Sequence, residues 1–338
     1  MFEQLLQRYA ADLDRAMRQT VAEIDSAAPG FQIMVRYPLG WSDETGQPYR
    51  GQVGKRIRPL FLLLCAEAAG GEWRQALPAA AAVELLHNFS LVHDDIQDAS
   101  PLRHGRATVW RLWGAAQAIN VGDALFSLAF TALEQLSRQG LAPETVISVW
   151  RVFNATNLEL TRGQHLDMLY ETLDHVTVDD YLTMILGKSA ALLAASAQIG
   201  ALVATGDEPL AAIYREFALN LGLAFQIRDD ILGIWGDPAV TGKSAATDIV
   251  SRKKSLPVLY GLVRSPRLAA IYAQDALTGA DVAEAVALLD GHSAREYARQ
   301  IEADFYNKAL AALENARPQG QAAVWLAQFV DALFQRSH

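Results

Sequence analysis

The stretch "ELLHNFSLVHDDIQD", residues 84–98, sets three aspartates into the last five positions of an apolar run. Leu85, Phe89, Val92 and Ile96 recur at three- and four-residue intervals, the spacing of a helix rather than the alternation of a strand. At 100° per residue, His87, Asp94 and Asp98 fall within about 20° of one direction, with Asp95 on the adjacent flank. Carboxylates this close repel one another. Either cations bridge them, some stay protonated, or they form a solvated helix end. The apolar "LLHNFSLV" just upstream favours acids gathered at the mouth of a greasy interior. Oxygen-only ligands suit Mg2+, which keeps several waters and shares one or two carboxylates with substrate phosphates.

The same helical spacing spreads outward over residues 2–25, 59–70, 76–98, 117–138, 143–171, 178–204, 209–235 and 294–313. Ala and Leu dominate, β-branched runs are scarce, and neither a solenoid repeat nor a linker long enough to part domains interrupts the pattern. The expectation is an all-α, single-domain chain over 1–338, with breakers at 28–54, 99–105 and 236–248. A length of 338 residues, 51% of them apolar, permits a large core. The formal charge of −9 argues against general nucleic-acid binding, which needs a basic footprint. Cys65 is the only cysteine, which rules out an intrachain disulfide and suits a reducing cytoplasm. The first residues mix acids and bases amphipathically, unlike a signal or transit peptide. The best membrane candidate, "SAALLAASAQIGALVAT" at 189–205, is slightly short of a span and carries Gln198, so a buried core helix is expected and no stable membrane insertion.

A second acidic cluster, "FQIRDDILGIWGD", lies at 225–237. Asp229 and Asp230 again form an adjacent pair, Gln226 sits one turn before Asp230, and Gly233 stands where another DDxxD would end. Two such clusters facing across a bundle would clamp a diphosphate through metal ions, and helical bundles do build metal sites in this way. A diphosphate also calls for cations at loops and helix ends. Lys55, Arg56 and Arg58 precede a helix in "GKRIRP", Arg103 and Arg106 follow the first acidic cluster, and Lys188, Lys243, Lys253 and Lys254 complete the set. "TGKS" at 241–244 lacks the first glycine of a phosphate loop and any strand before it.

Taken in order, "GKRIRP", "ELLHNFSLVHDDIQD", "RHGRATVW", "GDALFSLA", "RGQHLDM", "GKSAALL", "FQIRDDILGIWGD", "GKSAATDI" and "RKKSLP" resemble the successive motifs of the trans-type isoprenyl diphosphate synthases. The likeness spans nearly the whole chain. It implies an antiparallel all-α bundle of the isoprenoid synthase type around a deep central cavity, about three Mg2+ ions and usually a homodimer. It also implies head-to-tail transfer from an allylic diphosphate to isopentenyl diphosphate. By this resemblance Asp94 and Asp98 would ligate two Mg2+ ions and Asp229 the third, with Asp95 and Asp230 in support. Arg103, Lys188 and Lys243 would bind the allylic diphosphate, with Lys253 nearby. Lys55, Arg58 and His87 would hold isopentenyl diphosphate. Ser189, Gln226 and the carbonyl of Lys188 would supply dipoles near the developing carbocation, and Gln164 and Asp167 would line the site.

Three positions depart from the family pattern. His104 stands where a second arginine is usual for isopentenyl diphosphate, and its charge depends on pH. Gly233 replaces an aspartate and Ala107 a common proline. Chain length should follow from what blocks the cavity. Ser90 is too small to obstruct, whereas Phe89 lies about 7.5 Å deeper along the helix than Asp94. Family members with an aromatic here, a small neighbour and no insertion between the aspartates commonly stop at medium length, so the resemblance implies geranylgeranyl diphosphate in preference to the farnesyl product. Two rivals remain. A terpene cyclase on the same fold would need no isopentenyl diphosphate. A non-catalytic partner subunit should have lost metal acids, and both pairs survive here.

Overall fold

Nearly every apolar run with helical spacing forms a helix, and the structure is 78% helical. It is a computed structural model describing residues 2–24, 28, 30–49, 51, 54–173, 175–237, 246–274 and 276–334. The chain divides into two compact units, Met1–Val152 with Ser196–Ala211, and Phe153–Ala195 with Ala212–His338.

The first unit carries α1 (Phe2–Val21), α2 (Phe31–Arg36), α3 (Ile57–Ala68), α4 (Leu77–Gln97), α5 (Val109–Trp113) and α6 (Ala115–Arg138). The start of α7 (Pro143–Thr172) and most of α9 (Ala191–Thr205) also belong to it. Between α4 and α5, β1 (Leu102–Arg103) and β2 (Arg106–Ala107) pair antiparallel, the one sheet among the described residues. Helix α4 organises this unit, packing along α6 and against α1 and α3. Its first half, Pro78–Leu86, is buried on every side, as expected of a helix that is apolar all round. Toward Gln97 the same helix becomes polar and emerges. That gradient fixes where its acids sit.

The second unit holds α8 (Val178–Ile185), a π-helical turn at Leu186–Ala190 and most of α10 (Glu208–Trp235). It continues with α11 (Thr247–Val250), α12 (Leu256–Leu262), α13 (Pro266–Tyr272), α14 (Gly279–Gly291), α15 (Ala294–Ala316) and α16 (Gly320–Phe334). Helix α12 packs against α8, α13, α14 and α15. A capping box starts α8. The Thr177 hydroxyl accepts from the Asp180 backbone N–H at 3.1 Å, while Asp180 Oδ2 accepts from the Thr177 backbone N–H at 3.0 Å.

Among the described residues, two helical stretches are long and apolar enough to cross a membrane, Ala115–Arg138 and Val178–Thr205. The second is 78% buried over its most apolar window, the behaviour expected of a core helix. Its small residues have a packing cause. A Cβ on Gly200 would strike the carbonyl oxygen of Leu62, so only glycine lets α9 approach α3 this closely. Cys65 lies in that contact, and burial pushes its thiol pKa well up.

Candidate active site

At the end of α4 the three acids have different surroundings. Asp98 is exposed and closes the helix, its backbone N–H donating to the Asp94 carbonyl at 2.9 Å. Asp94 is half-buried, and Asp95 is buried. One guanidinium grips the adjacent pair: Arg103 Nε donates to Asp95 Oδ1 at 2.8 Å and Nη2 to Asp94 Oδ2 at 3.1 Å. Burial raises the pKa of Asp95, with Arg103 pulling the other way. Arg103 is aimed by the hairpin. His104 and Gly105 have φ of 51° and 76°, the paired positive values of a tight primed turn, which histidine tolerates better than most residues. On the return strand, Arg106 lies over the rings of Tyr37 and Tyr49, at 3.9 and 4.0 Å, and donates to the Ser42 carbonyl at 2.9 Å.

Lys55, Arg58, His87, Arg103 and His104 line one cavity of about 640 Å³ in the first unit. Arg58 Nη1 lies 3.1 Å from His87 Nε2. A guanidinium can only donate, so Nε2 accepts and the imidazole proton sits on Nδ1. Burial, reinforced by Arg58, Arg103 and His104, holds the His87 pKa well below its ordinary 6.5. Below about pH 6.5 the unfolded chain therefore protonates this histidine while the folded one does not. Stability falls as pH drops, by up to about 1.4 kcal/mol per pH unit. His87→Gln should flatten this acid limb, and Tm values compared between about pH 5 and pH 7.5 would show it. Parallel profiles for the two proteins would mean that His87 is protonated in the fold.

The second acidic helix builds a different arrangement. Asp229 is exposed, whereas Asp230 is fully buried with both oxygens occupied. Tyr181 OH donates to Asp230 Oδ2 at 2.5 Å, and Gln226 Nε2 and Lys253 Nζ donate to Oδ1 at 3.1 and 2.7 Å. Gln226 Oε1 in turn accepts from Ser189 Oγ at 2.7 Å. Ser189 and Lys188 sit in the π-helical turn, a local irregularity frequent at functional sites. Gly163 and Gly187 face each other there, because a Cβ on Gly163 would overlap the Lys188 backbone nitrogen. The Lys188 ammonium pairs with Asp167. Burial works against the charge of Lys253, yet Asp230, Asp248 and Asp229 outweigh it and raise its pKa. Lys243 lies outside the described residues.

Chain-length candidates Phe89 and Ser90 sit on α4. Phe89 packs edge-on to His93 at 4.7 Å and tilted against Phe126 at 5.1 Å; Phe126, Phe130 and Trp150 continue the series of rings. Ser90 Oγ donates back to the His87 carbonyl at 2.8 Å, leaving a small, internally satisfied side chain.

Among the described residues, no three His, Cys, Asp or Glu side chains converge as a ready cage for a metal. The donors of each unit, taken by themselves, still suit a hard divalent cation. Asp94 and Asp98 in the first unit, and separately Asp229 in the second, offer only carboxylate oxygen, and such ions complete their shell with water and substrate phosphate. Asp95 and Asp230 are instead committed to Arg103 and to Lys253, Tyr181 and Gln226, which suits support better than ligation. Sequence reasoning did not single out Tyr181 or the buried Glu84 behind Arg58. Asp248 stood in a quoted motif with no role attached. Tyr181 and Asp230 are 49 positions apart, and no local pattern signals that pairing.

A family model described as polyprenyl synthetase matches residues 41–289. The chain belongs to the polyprenyl synthetase family. Within it, the chain is 39% identical to a geranylgeranyl diphosphate synthase of Mycobacterium tuberculosis, over 92% of this chain and 89% of that protein. It is 44% identical to a (2E,6E)-farnesyl diphosphate synthase of the same organism over 72% of this chain, a match spanning 66% of that relative's length. A crystal structure of a polyprenyl synthetase from Streptomyces coelicolor superposes with a TM-score of 0.88 at 36% identity, covering 98% of this chain and 99% of the other. The all-α isoprenoid synthase fold follows from these likenesses.

Proposed function

We propose that the chain is a head-to-tail prenyltransferase that condenses isopentenyl diphosphate with an allylic diphosphate, and that geranylgeranyl diphosphate is its main product. The observation that carries this reading is the cavity lined by Lys55, Arg58, His87, Arg103 and His104. A partly apolar hollow carrying these nitrogen-bearing side chains suits the diphosphate of a small hydrocarbon acceptor. His104 keeps donor capacity at the position of the usual arginine. Asp94 and Asp98 would hold Mg2+, and so would Asp229, about three ions in all, and these would supply Lewis-acid neutralisation of the departing diphosphate. Arg103, Lys188, Lys243 and Lys253 would bind and orient the allylic diphosphate, and fixed cations of this kind favour C–O heterolysis by preorganisation. The hydroxyl of Ser189 and the amide of Gln226, held by one another and by Asp230, would turn their dipoles toward the allylic cation. The acceptor's double bond attacks that cation, and the released diphosphate takes the proton lost as the new double bond forms.

The whole chain acts in this reading as one catalytic domain in the cytoplasm, and as a homodimer. Exposed Ile119, Ile147 and Trp150 on α6 and α7 support a second copy docking there. The 44% identity to a farnesyl synthase favours a second reading, a fifteen-carbon product. Incubation with isopentenyl diphosphate, Mg2+ and each short allylic diphosphate in turn, followed by mass identification, separates the two. A twenty-carbon diphosphate as main product is expected. Products formed without isopentenyl diphosphate would point to a cyclase, and none at all with any primer would end the proposal.

A further inference from the structure

We infer that Asp14, on the first helix, is a positioning residue for the acceptor diphosphate, acting through Arg56 on the loop that carries Lys55 and Arg58. The inference rests on the proposed transfer to isopentenyl diphosphate. It concerns a helix that precedes residues 41–289, the stretch the family model matches. Asp14 gathers three donors. Its Oδ1 accepts from Trp41 Nε1 at 2.8 Å and from Arg56 Nη1 at 2.9 Å, and its Oδ2 accepts from Arg18 Nε at 2.6 Å. Arg18 also lies over the Trp41 ring at 4.4 Å, so the carboxylate is braced from both sides. Burial works to raise its pKa, but the bonds from Arg18, Arg56 and Trp41 outweigh it and hold Asp14 below the ordinary carboxylate value. The carboxylate is charged at neutral pH.

What it holds is a residue in an unfavourable backbone. Arg56 stands at the start of α3 with φ of 47° and ψ of 41°, the left-handed region that a side chain disfavours. Such a conformation persists where the surroundings over-determine it. The Arg56 side chain is only 14% exposed and makes no capping bond to α3, reaching across to α1 instead. Its carbonyl accepts from the Leu60 backbone N–H at 3.3 Å, so the same residue sets how α3 begins. Lys55 stands one position before it and Arg58 two after, and all three line the cavity. Two cations that must meet one diphosphate depend on where the backbone between them is pinned. The far end of α3 has its own tie to α1, where Arg8 Nε and Tyr9 OH donate to Glu67 at 2.9 and 2.5 Å. Removing Asp14 therefore leaves α1 docked and loosens the loop alone.

Steady-state kinetics of the full-length chain test this, with isopentenyl diphosphate and the allylic diphosphate varied in turn at saturating Mg2+. Asp14→Ala should raise KM for isopentenyl diphosphate about tenfold or more, since a shift of about 1 Å in a positioned group can cost as much as about a hundredfold. Both kcat and KM for the allylic diphosphate should stay within about threefold, as expected when uniform binding of one substrate is lost. Glu67→Gln, which loosens α1 at the other end of α3, should lower Tm and leave both KM values within about twofold. In an Arg56→Gly background, where glycine adopts the left-handed backbone unaided, Asp14→Ala should add less than about threefold. The inference is overturned if Asp14→Ala raises KM for isopentenyl diphosphate less than about twofold, or raises both KM values equally. An equal effect of Glu67→Gln, or an undiminished effect of Asp14→Ala in the Arg56→Gly background, overturns it too. If Asp14→Ala does not fold, Asp14→Asn keeps the volume and is held to the same twofold criterion. Wild type forming no product from isopentenyl diphosphate with any primer would instead overturn the proposed function, and this inference with it.

Discussion

Asp94→Ala is expected to lower kcat about a thousandfold at saturating Mg2+ and substrates while leaving the chain folded. The argument has a chemical and a structural half. Ionising an allylic diphosphate places several negative charges on the leaving group, and metal stabilisation of developing charge contributes several kcal/mol. About 4 kcal/mol corresponds to three decades in rate. The structural consequence is small by comparison. Asp94 is half-buried, and its Arg103 partner keeps the 2.8 Å bond to Asp95 when Asp94 is removed. No buried charge is stranded, so Tm should move by only a few degrees, as for an ordinary surface-proximal substitution. Single-turnover formation of prenyl product, with Tm as the control, checks both halves. A loss of less than about tenfold in a folded variant would remove Asp94 from the reaction.

The helices and the site were not equally legible in the sequence. Long amphipathic and all-apolar runs declared themselves because a 3.6-residue period is a property of neighbouring positions. Helix α4 was expected over 76–98 and is found at Leu77–Gln97; α10 was expected over 209–235 and is found at Glu208–Trp235. Helix α2 was hidden inside the breaker-rich stretch 28–54, since six residues make fewer than two turns. The Leu102–Ala107 hairpin begins inside another breaker and was hidden because His104 at positive φ takes the place usually signalled by Asn-Gly. Within the site, residue types were readable but their partners were not. Lys188 was assigned to a diphosphate, and its ammonium meets Asp167 in this structure. Lys253 was placed near the same ligand, and it sits between Asp230 and Asp248. Pairings of this kind are set by how helices pack and leave no trace in local spacing. The cluster of Lys55, Arg58 and His87 was legible only through the motif resemblance, since 29 positions separate Arg58 from its histidine.

Phe89→Ala is expected to shift the main product upward by about one five-carbon unit. The ring lies on α4 about 1.4 turns before Asp94, and it rests on Phe126 at 5.1 Å. Truncation removes six ring carbons, close to the volume of an added isoprene unit, and leaves Phe126 as the next obstacle. The series of rings behind it, through Phe130 to Trp150, predicts a bounded extension rather than an open-ended one. A hole in close-packed apolar surroundings is also destabilising. A fully buried phenylalanine loses about 3–5 kcal/mol on truncation, and the partial exposure of Phe89 puts this variant at or below the lower end. The two consequences separate cleanly by experiment. If Phe89 only packs the core, Tm falls and the chain-length distribution stays that of the parent. If it floors the product tunnel, radiolabelled products at matched primer concentration lengthen, and the long product accumulates even when Tm is restored by lowering the assay temperature. Phe126→Ala in the Phe89→Ala background should then lengthen the product again, because the second ring has become the floor.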